Sequence, residues 1–134
     1  RPEIGTFFDS IGIYLFNGYG ITECSPLVSV NRPKFNDPRT VGVILPCCEV
    51  KIVDPDEDGN GEVHVKGKIV MLGYYKNEEK TKEVLNDGWF NTGDFGNVNK
   101  QGQLSITGRK KNLIVLNNGK NVFPEEIEGK QENE

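Results

Sequence analysis

Three short polar segments carry side chains whose types suit a nucleotide site. An aromatic ring can lie beside adenine, one carboxylate can accept hydrogen bonds from ribose hydroxyls, and a second carboxylate can hold Mg²⁺ beside phosphates. Tyr19, Asp94 and Glu23 offer these three groups. In chain order the segments are Tyr19-Gly20-Ile21-Thr22-Glu23, Thr92-Gly93-Asp94 and Gly108-Arg109-Lys110-Lys111. We therefore predict that the segments are parts of one nucleotide site.

Each segment alone also has a plain structural interpretation. Tyr-Gly pairs are common in turns, Thr22 can begin a helix, an Asp after Gly often forms a turn, and Gly-Arg-Lys-Lys can be an exposed basic turn. Longer strings carry more information, and they resemble the AMP-forming adenylate enzymes. That superfamily includes acyl-CoA synthetases, nonribosomal peptide adenylation domains and beetle luciferases. The strings cover residues 17–26, 88–94, 108–111 and 117–128.

The resemblance implies a role for each matching residue. Thr22 and Glu23 would be catalytic, with Thr22 on phosphate and Glu23 also binding Mg²⁺. The implied nucleotide-binding set is Asn17, Gly18, Tyr19, Gly20, Thr22, Asp94 and Arg109. Lys111 matches the hinge between a large amino-terminal and a small carboxyl-terminal domain, and Gly119 would lie near the coenzyme A (CoA) channel. The implied small molecules are ATP, Mg²⁺, CoA as co-substrate, and a fatty acid.

Two other reactive side chains have structural interpretations that we prefer. Cys24 follows Glu23 but lacks a nearby basic partner in the sequence, so we expect a small, partly buried side chain and not a nucleophile. His64 falls on the polar side of a predicted strand, where a solvent-facing imidazole needs no special role. The strings 61–67 and 73–75 also resemble a family motif, and we assign them to folding.

Composition limits the class of protein. The 134 residues, of which 35% are hydrophobic and 16 are glycine, can form a domain with a core. The 16 basic and 20 acidic residues are interspersed and give a net charge of −4, which argues against a nucleic-acid partner.

No apolar run approaches the roughly 20 residues of a membrane span. Three cysteines without metal-ligand spacing fit a cytoplasmic protein. The resemblance leaves peripheral membrane association of the full-length enzyme open, and the oligomeric state is open too.

Periodicity and turn residues predict a mainly β fold with some α-helix. Helices are expected at 2–12 and 77–85, strands at 13–16, 50–53, 62–66, 89–90, 103–107 and 113–116, a turn at 117–119 and a further helix start at Pro124. The continuous apolar run 13–16 predicts a strand covered on both faces. The resemblance implies the distorted antiparallel β-barrel subdomain of the acyl-CoA synthetase fold, with a remnant of the adjoining α/β layer. We expect residues 1–39 to end that layer, 40–110 to form the barrel-like unit, and 111–134 to hold the hinge and a truncated start of the next domain.

The sequence resembles bacterial long-chain fatty acyl-CoA synthetases most, over nearly all of its length, but it matches only a minority of the family's length. We therefore expect a fragment that is inactive in isolation, because the pyrophosphate-gripping loop and the adenylation lysine of the family would lie outside it. Three alternatives stay open: an acyl carrier protein ligase, a peptide-synthetase adenylation domain, and a non-catalytic β-rich binding module.

Overall fold

A computed structural model describes residues 2–115, 121, 122 and 124 of the chain. The fold is mainly β, as predicted, with few helices and a main sheet that is curled into a half-barrel. Its α-helices are α1 (Pro2–Ser10) and α2 (Glu78–Val84). Its strands are β1 (Gly18–Gly20), β2 (Leu27–Val30), β3 (Val43–Ile44), β4 (Cys48–Val53), β5 (Gly61–Gly67), β6 (Leu85–Asn86), β7 (Trp89–Val98), β8 (Leu104–Arg109), β9 (Ile114–Val115) and β10 (Asn121–Val122).

The main sheet has five strands in the order β4-β5-β7-β6, with β8 also paired to β7. The predicted hairpin of β4 and β5 is confirmed, and its antiparallel register places Val50 opposite Val65. Alternation along β5 buries Val63 and Val65 completely, where they join Phe90 of β7 and Leu104 of β8 in the core. Strand β7 therefore lies at the centre of the sheet and borders three other strands.

A smaller sheet, β1-β2-β3, packs its Val28 into the same core. Backbone hydrogen bonds join the segment before β3 to β8, from Val41 N–H to Leu104 O and from Leu104 N–H to Gly42 O, each at 2.8 Å. These bonds bring β1 and the middle of β7 to one side of the molecule, which is where the candidate site lies.

The predicted strand at 13–16 is wrong. The structure gives this segment no ladder, and Ile13, Tyr14 and Phe16 are 49%, 69% and 42% exposed. A strand needs a neighbour for its backbone groups, and none of the described residues pairs with 13–16. The helix predicted before it is present as α1, although its Phe7 is also 61% exposed. An apolar run predicted burial here, but the described residues do not cover it.

Helix α2 begins as predicted, because the Asn77 side chain accepts a hydrogen bond from the Lys80 N–H at 3.0 Å. The strand predicted at Trp89 and Phe90 continues to Val98 and includes residues 92–94, so a strand carries Asp94 where a connecting segment was expected. Trp89 at the start of this strand lies 4.3 Å from Lys51 Nζ and 5.7 Å from Lys66 Nζ, measured to the ring centroid.

Strands β9 and β10 pair antiparallel, as the predicted hairpin after Lys111 requires, but the predicted turn at 117–119 lies outside the described residues. The continuation of the helix predicted at Pro124 also lies outside them. The three-part domain division stays a prediction. No helix within the described ranges is long and apolar enough to cross a membrane.

Candidate functional site

Two adjoining clefts open where β1 and the turn after it face the middle of β7 and the end of β8. Their volumes are about 810 Å³ and about 530 Å³. Residues that line both are Ile21, Glu23, Asp94, Arg109 and Lys111. The larger cleft is lined by seven of the predicted site residues: Tyr19, Gly20, Thr22, Glu23, Asp94, Arg109 and Lys111. The three polar segments therefore meet in space.

Close backbone packing shapes the loop that carries Thr22 and Glu23. A Cβ at Gly20 would overlap the backbone oxygen of Pro26, so this approach requires glycine. The chain then makes a single 3-10 turn, Thr22–Cys24, anchored by the fully buried Cys24. Burial, and then the nearby Cys48 and Glu23, raises the pKa of the Cys24 thiol to about 11. A thiol held protonated in the core is a poor nucleophile, so its place is structural.

Asp94 is held by contacts from both ends of the described chain. The Tyr19 hydroxyl donates a hydrogen bond of 2.6 Å to Asp94 Oδ2, and Arg109 Nε lies 3.3 Å from Oδ1. The backbone N–H of Asp94 donates to Thr92 Oγ1, which in turn donates to Val63 O. Burial, followed by the hydrogen bond to Asp94, raises the pKa of the Tyr19 phenol. Since each carboxylate oxygen has two lone pairs, Asp94 can still accept hydrogen bonds from two ligand hydroxyls.

Glu23 is held by Tyr74, a residue whose motif predicts a part in folding. The Tyr74 hydroxyl donates to Glu23 Oε1 at 2.8 Å, and the Met71 N–H donates to the Glu23 backbone oxygen, also at 2.8 Å. Burial, and then this hydrogen bond, raises the pKa of Tyr74. Tyr74 lies 51 residues from Glu23 in the sequence, and no spacing rule indicates that the two meet.

The donor set suits a magnesium ion that is shared with phosphates. Among the described residues, no group of three or more His, Cys, Asp or Glu side chains could hold a metal by itself. Mg²⁺ commonly keeps several waters and takes one or two carboxylates plus phosphate oxygens, so Glu23 at the rim of both clefts is an adequate protein ligand.

A second buried carboxylate, Glu62, borders the smaller cleft and was also missed from the sequence. Lys110 Nζ lies 3.1 Å from each Glu62 oxygen, and His64 Nε2 lies 3.5 Å from Oε2. The His64 side chain is only 18% exposed, so it is less open to solvent than its strand position predicted. Lys110 precedes the predicted hinge residue, and the ion pair therefore fixes the end of β8 to β5.

The remaining predicted site residues either lie away from the clefts or fall outside the residues that the structure describes. Asn17 binds backbone, since its Nδ2 donates to Pro38 O at 3.1 Å and its backbone oxygen accepts from Asn31 N–H at 2.8 Å. Gly18 pairs with Val30 in the small sheet and is in the lining of neither cleft. Gly119 lies outside the described residues. The ligand-binding roles of the whole set stay predictions.

The fold is consistent with that of the β-rich subdomain of adenylate-forming ligases. The sequence model of the family described as AMP-binding enzyme matches residues 1–75, and the chain belongs to this family. It is similar to a long-chain-fatty-acid–CoA ligase of Salmonella typhimurium, with 44% identity over 123 residues that cover 87% of this chain and 22% of that enzyme. The chain is therefore related by sequence to long-chain-fatty-acid–CoA ligases.

The chain is also similar to two other ligases. A chloroplastic long-chain-fatty-acid–[acyl-carrier-protein] ligase of Arabidopsis thaliana is 42% identical over 143 residues, covering 94% of this chain and 20% of that protein. The structure of O-succinylbenzoate coenzyme A synthetase from Bacillus subtilis in complex with ATP and a magnesium ion matches with a TM-score of 0.82 and 30% identity, over 95% of this chain and 28% of that one. The chain thus spans about a fifth of the length of the curated relatives it matches.

Proposed function

We propose that this chain is one segment of an ATP-dependent long-chain fatty acid–CoA ligase. One observation carries the proposal: the hydrogen bond from Tyr19 to Asp94 joins two motifs 75 residues apart at the wall of a cleft that Glu23 also lines. A tyrosine ring and two carboxylates then stand around one space, and these groups suit adenine, ribose hydroxyls and a metal ion. The similarity to long-chain fatty acid–CoA ligases supports the choice of substrate.

The proposed reaction has two steps. In the first, a carboxylate oxygen of the fatty acid attacks the α-phosphorus of ATP, the bond to pyrophosphate breaks, and an acyl-adenylate forms. In the second, the thiolate sulfur of CoA attacks the acyl carbonyl carbon and AMP leaves. When bound, Mg²⁺ would offset negative charge on the phosphates.

The side chains of this chain bind and orient the nucleotide in that scheme. Tyr19, whose hydroxyl is fixed by Asp94, offers a ring face to adenine. Asp94 accepts hydrogen bonds from the ribose hydroxyls, and Arg109, which is 63% exposed at its side chain, can reach ribose or phosphate. Thr22 is exposed at the cleft and can donate its hydroxyl to a phosphate oxygen. Reactions at a phosphate of ATP are accelerated mainly by positioning and electrostatic stabilisation, so holding the nucleotide in place is itself a catalytic contribution.

The thioester step assigns roles to residues near the end of the chain. We propose Lys111 as the hinge on which a carboxyl-terminal domain rotates between the two steps, and Gly119 as part of the CoA channel. We also propose a cytoplasmic location, on the basis of three free cysteines.

The acceptor is the main alternative, because one relative is a ligase for acyl carrier protein. The test uses the full-length protein: fatty-acid-dependent exchange of labelled pyrophosphate into ATP, followed by product formation with CoA or with holo acyl carrier protein. We expect exchange with long-chain acids and thioester formation with CoA. Thioester formation with the carrier protein alone would support that ligase, and absence of ATP binding and of exchange would support a non-catalytic module. Exchange driven by amino acids in place of fatty acids would point to a peptide-synthetase domain.

We expect the 134-residue chain alone to be inactive, because it spans 22% of the Salmonella enzyme.

A further inference from the structure

Tyr74 is placed to control how Glu23 is presented to the cleft. Its hydroxyl donates to Glu23 Oε1 at 2.8 Å, while Met71, three positions earlier, holds the Glu23 backbone. Within the described residues, Oε1 is the Glu23 oxygen that a hydrogen bond engages, so Oε2 keeps its lone pairs for a cation. A half-buried carboxylate fixed through one oxygen has fewer rotamers to lose when the other oxygen binds an ion.

Helix α2 fixes Tyr74 in turn. The Tyr74 N–H donates to Thr81 Oγ1 at 2.9 Å, and this hydroxyl donates to Asn77 O at 2.8 Å. A Cβ at Gly73, where φ is +152°, would lie 2.8 Å from Thr81 Cγ2, so only glycine lets the loop approach the helix this closely. Lys80 Nζ lies 5.0 Å from the centre of the Tyr74 ring and adds a cation–π contact. The tyrosine is thus held by backbone, ring and hydroxyl.

We propose that Tyr74 is a positioning residue for the magnesium-binding carboxylate, holding Glu23 by Oε1 so that Oε2 meets a divalent cation carried by ATP. The inference rests on the proposed function. It gives a ligand-directed role to the Gly73-Tyr74 pair, whose motif predicts a part in folding.

The test measures metal affinity directly. In the full-length protein bound to a non-hydrolysable ATP analogue, Mn²⁺ replaces Mg²⁺ and its binding is followed by electron paramagnetic resonance. Loss of a partner that orients a metal ligand typically weakens metal binding 10- to 100-fold, so we expect Tyr74→Phe to raise the Mn²⁺ dissociation constant about tenfold. Nucleotide affinity without divalent metal should stay within about twofold of the parent, since the phenylalanine ring keeps the packing and the cation–π contact.

Two variants separate positioning from general damage. Tyr75→Phe removes the neighbouring hydroxyl from a residue that is 87% exposed, and it should bind Mn²⁺ like the parent. In a Glu23→Gln background, Tyr74→Phe should add no further loss of Mn²⁺ affinity, because the two residues act through one interaction. A full additional loss in that background would overturn the proposal, as would parent-like Mn²⁺ affinity in Tyr74→Phe or an equal loss of metal-free nucleotide binding.

The same experiment separates this inference from the proposed function. A parent protein that binds neither the ATP analogue nor Mn²⁺, and exchanges no pyrophosphate, would remove the proposed function and this inference with it. A parent that does all three, beside a Tyr74→Phe variant that is indistinguishable from it, would remove the positioning role alone.

Discussion

The Asp94 carboxylate is contacted by both Tyr19 and Arg109, and it is also the proposed acceptor for the ribose hydroxyls. In the full-length enzyme we expect Asp94→Ala to weaken ATP binding by roughly 1.5–3 kcal/mol, the usual cost of a hydrogen bond to a charged group, which is on the order of 10- to 100-fold. Calorimetric titration with ATP and pyrophosphate exchange measure the effect.

The matched control is Asp58→Ala, an exposed aspartate in the turn between β4 and β5. It should leave both measurements unchanged. Asp94→Ala within about twofold of the parent would show that the ribose lies elsewhere, since loss of a charged partner costs more than that.

The residues of the site differ in how far the sequence could predict them. Tyr19, Glu23 and Asp94 lie in short segments whose side-chain types already match the groups a nucleotide needs. Tyr74 and Glu62 reach the site through packing, over 51 residues to Glu23 and 48 residues to Lys110. A tyrosine hydroxyl and a strand glutamate have many ordinary roles, so only the fold decides which partners they meet.

Sequence patterns correctly predicted the elements that are stabilised by contacts between residues close in the sequence. The β4–β5 hairpin follows from alternation around a turn, and α2 follows from its cap. The prediction of a strand at 13–16 was wrong because an apolar run indicates burial but does not specify which neighbour buries it. The length of β7 was missed because Gly93 and Gly96 interrupt the strand pattern, whereas pairing with both β5 and β8 sustains it.

The amino-terminal cap of α2 gives a prediction about stability. Asn77→Ala removes the acceptor for the Lys80 N–H and should lower the free energy of unfolding by about 1 kcal/mol. Asn77→Asp retains an acceptor oxygen and should unfold close to the parent. Urea unfolding followed by circular dichroism compares the three proteins, and an alanine variant as stable as the aspartate variant would contradict the capping role.

The segment after β8 gives a prediction about the two half-reactions. Lys111 follows Lys110, whose ion pair with Glu62 holds the near side of the proposed hinge in place. Because proline fixes φ, Lys111→Pro in the full-length enzyme should restrict rotation. We expect acyl-adenylate formation to stay near the parent rate while thioester formation slows at least about tenfold, as an impeded domain motion would cause.

Separate assays of adenylate formation and of CoA-dependent release measure the two steps. Lys110→Pro is unsuitable as a control because it would break the Glu62 contact, so Lys111→Ala serves instead. Equal slowing of both steps in Lys111→Pro, or of neither, would remove the hinge assignment.

Helix α1 and the segment after it expose a set of apolar side chains, which we call the amino-terminal apolar face. Phe7 is 61% and Tyr14 69% exposed, and Ile4, Ile11 and Ile13 are each about half exposed. Exposed apolar side chains in such number promote association, so we expect the 134-residue chain to self-associate at high micromolar concentration. The double variant Phe7→Asp, Tyr14→Asp should shift it toward monomer in sedimentation velocity experiments.

Leu72→Asp provides the comparison, because Leu72 is fully exposed but stands away from that face in the sequence. It should sediment like the parent. A parent chain that is monomeric throughout, or a double variant that associates as strongly as the parent, would show that this face does not drive association.

The contact of Trp89 with Lys51 and Lys66 has a practical consequence, because this is the chain's one tryptophan. It pairs with β5 and β6 and touches a lysine from β4, yet among the described residues it belongs to the lining of neither cleft. Its fluorescence emission should therefore change when the main sheet unfolds and stay the same when a nucleotide occupies the cleft. An emission change on adding ATP to the chain would signal a rearrangement that reaches across the sheet, observable without attaching any label.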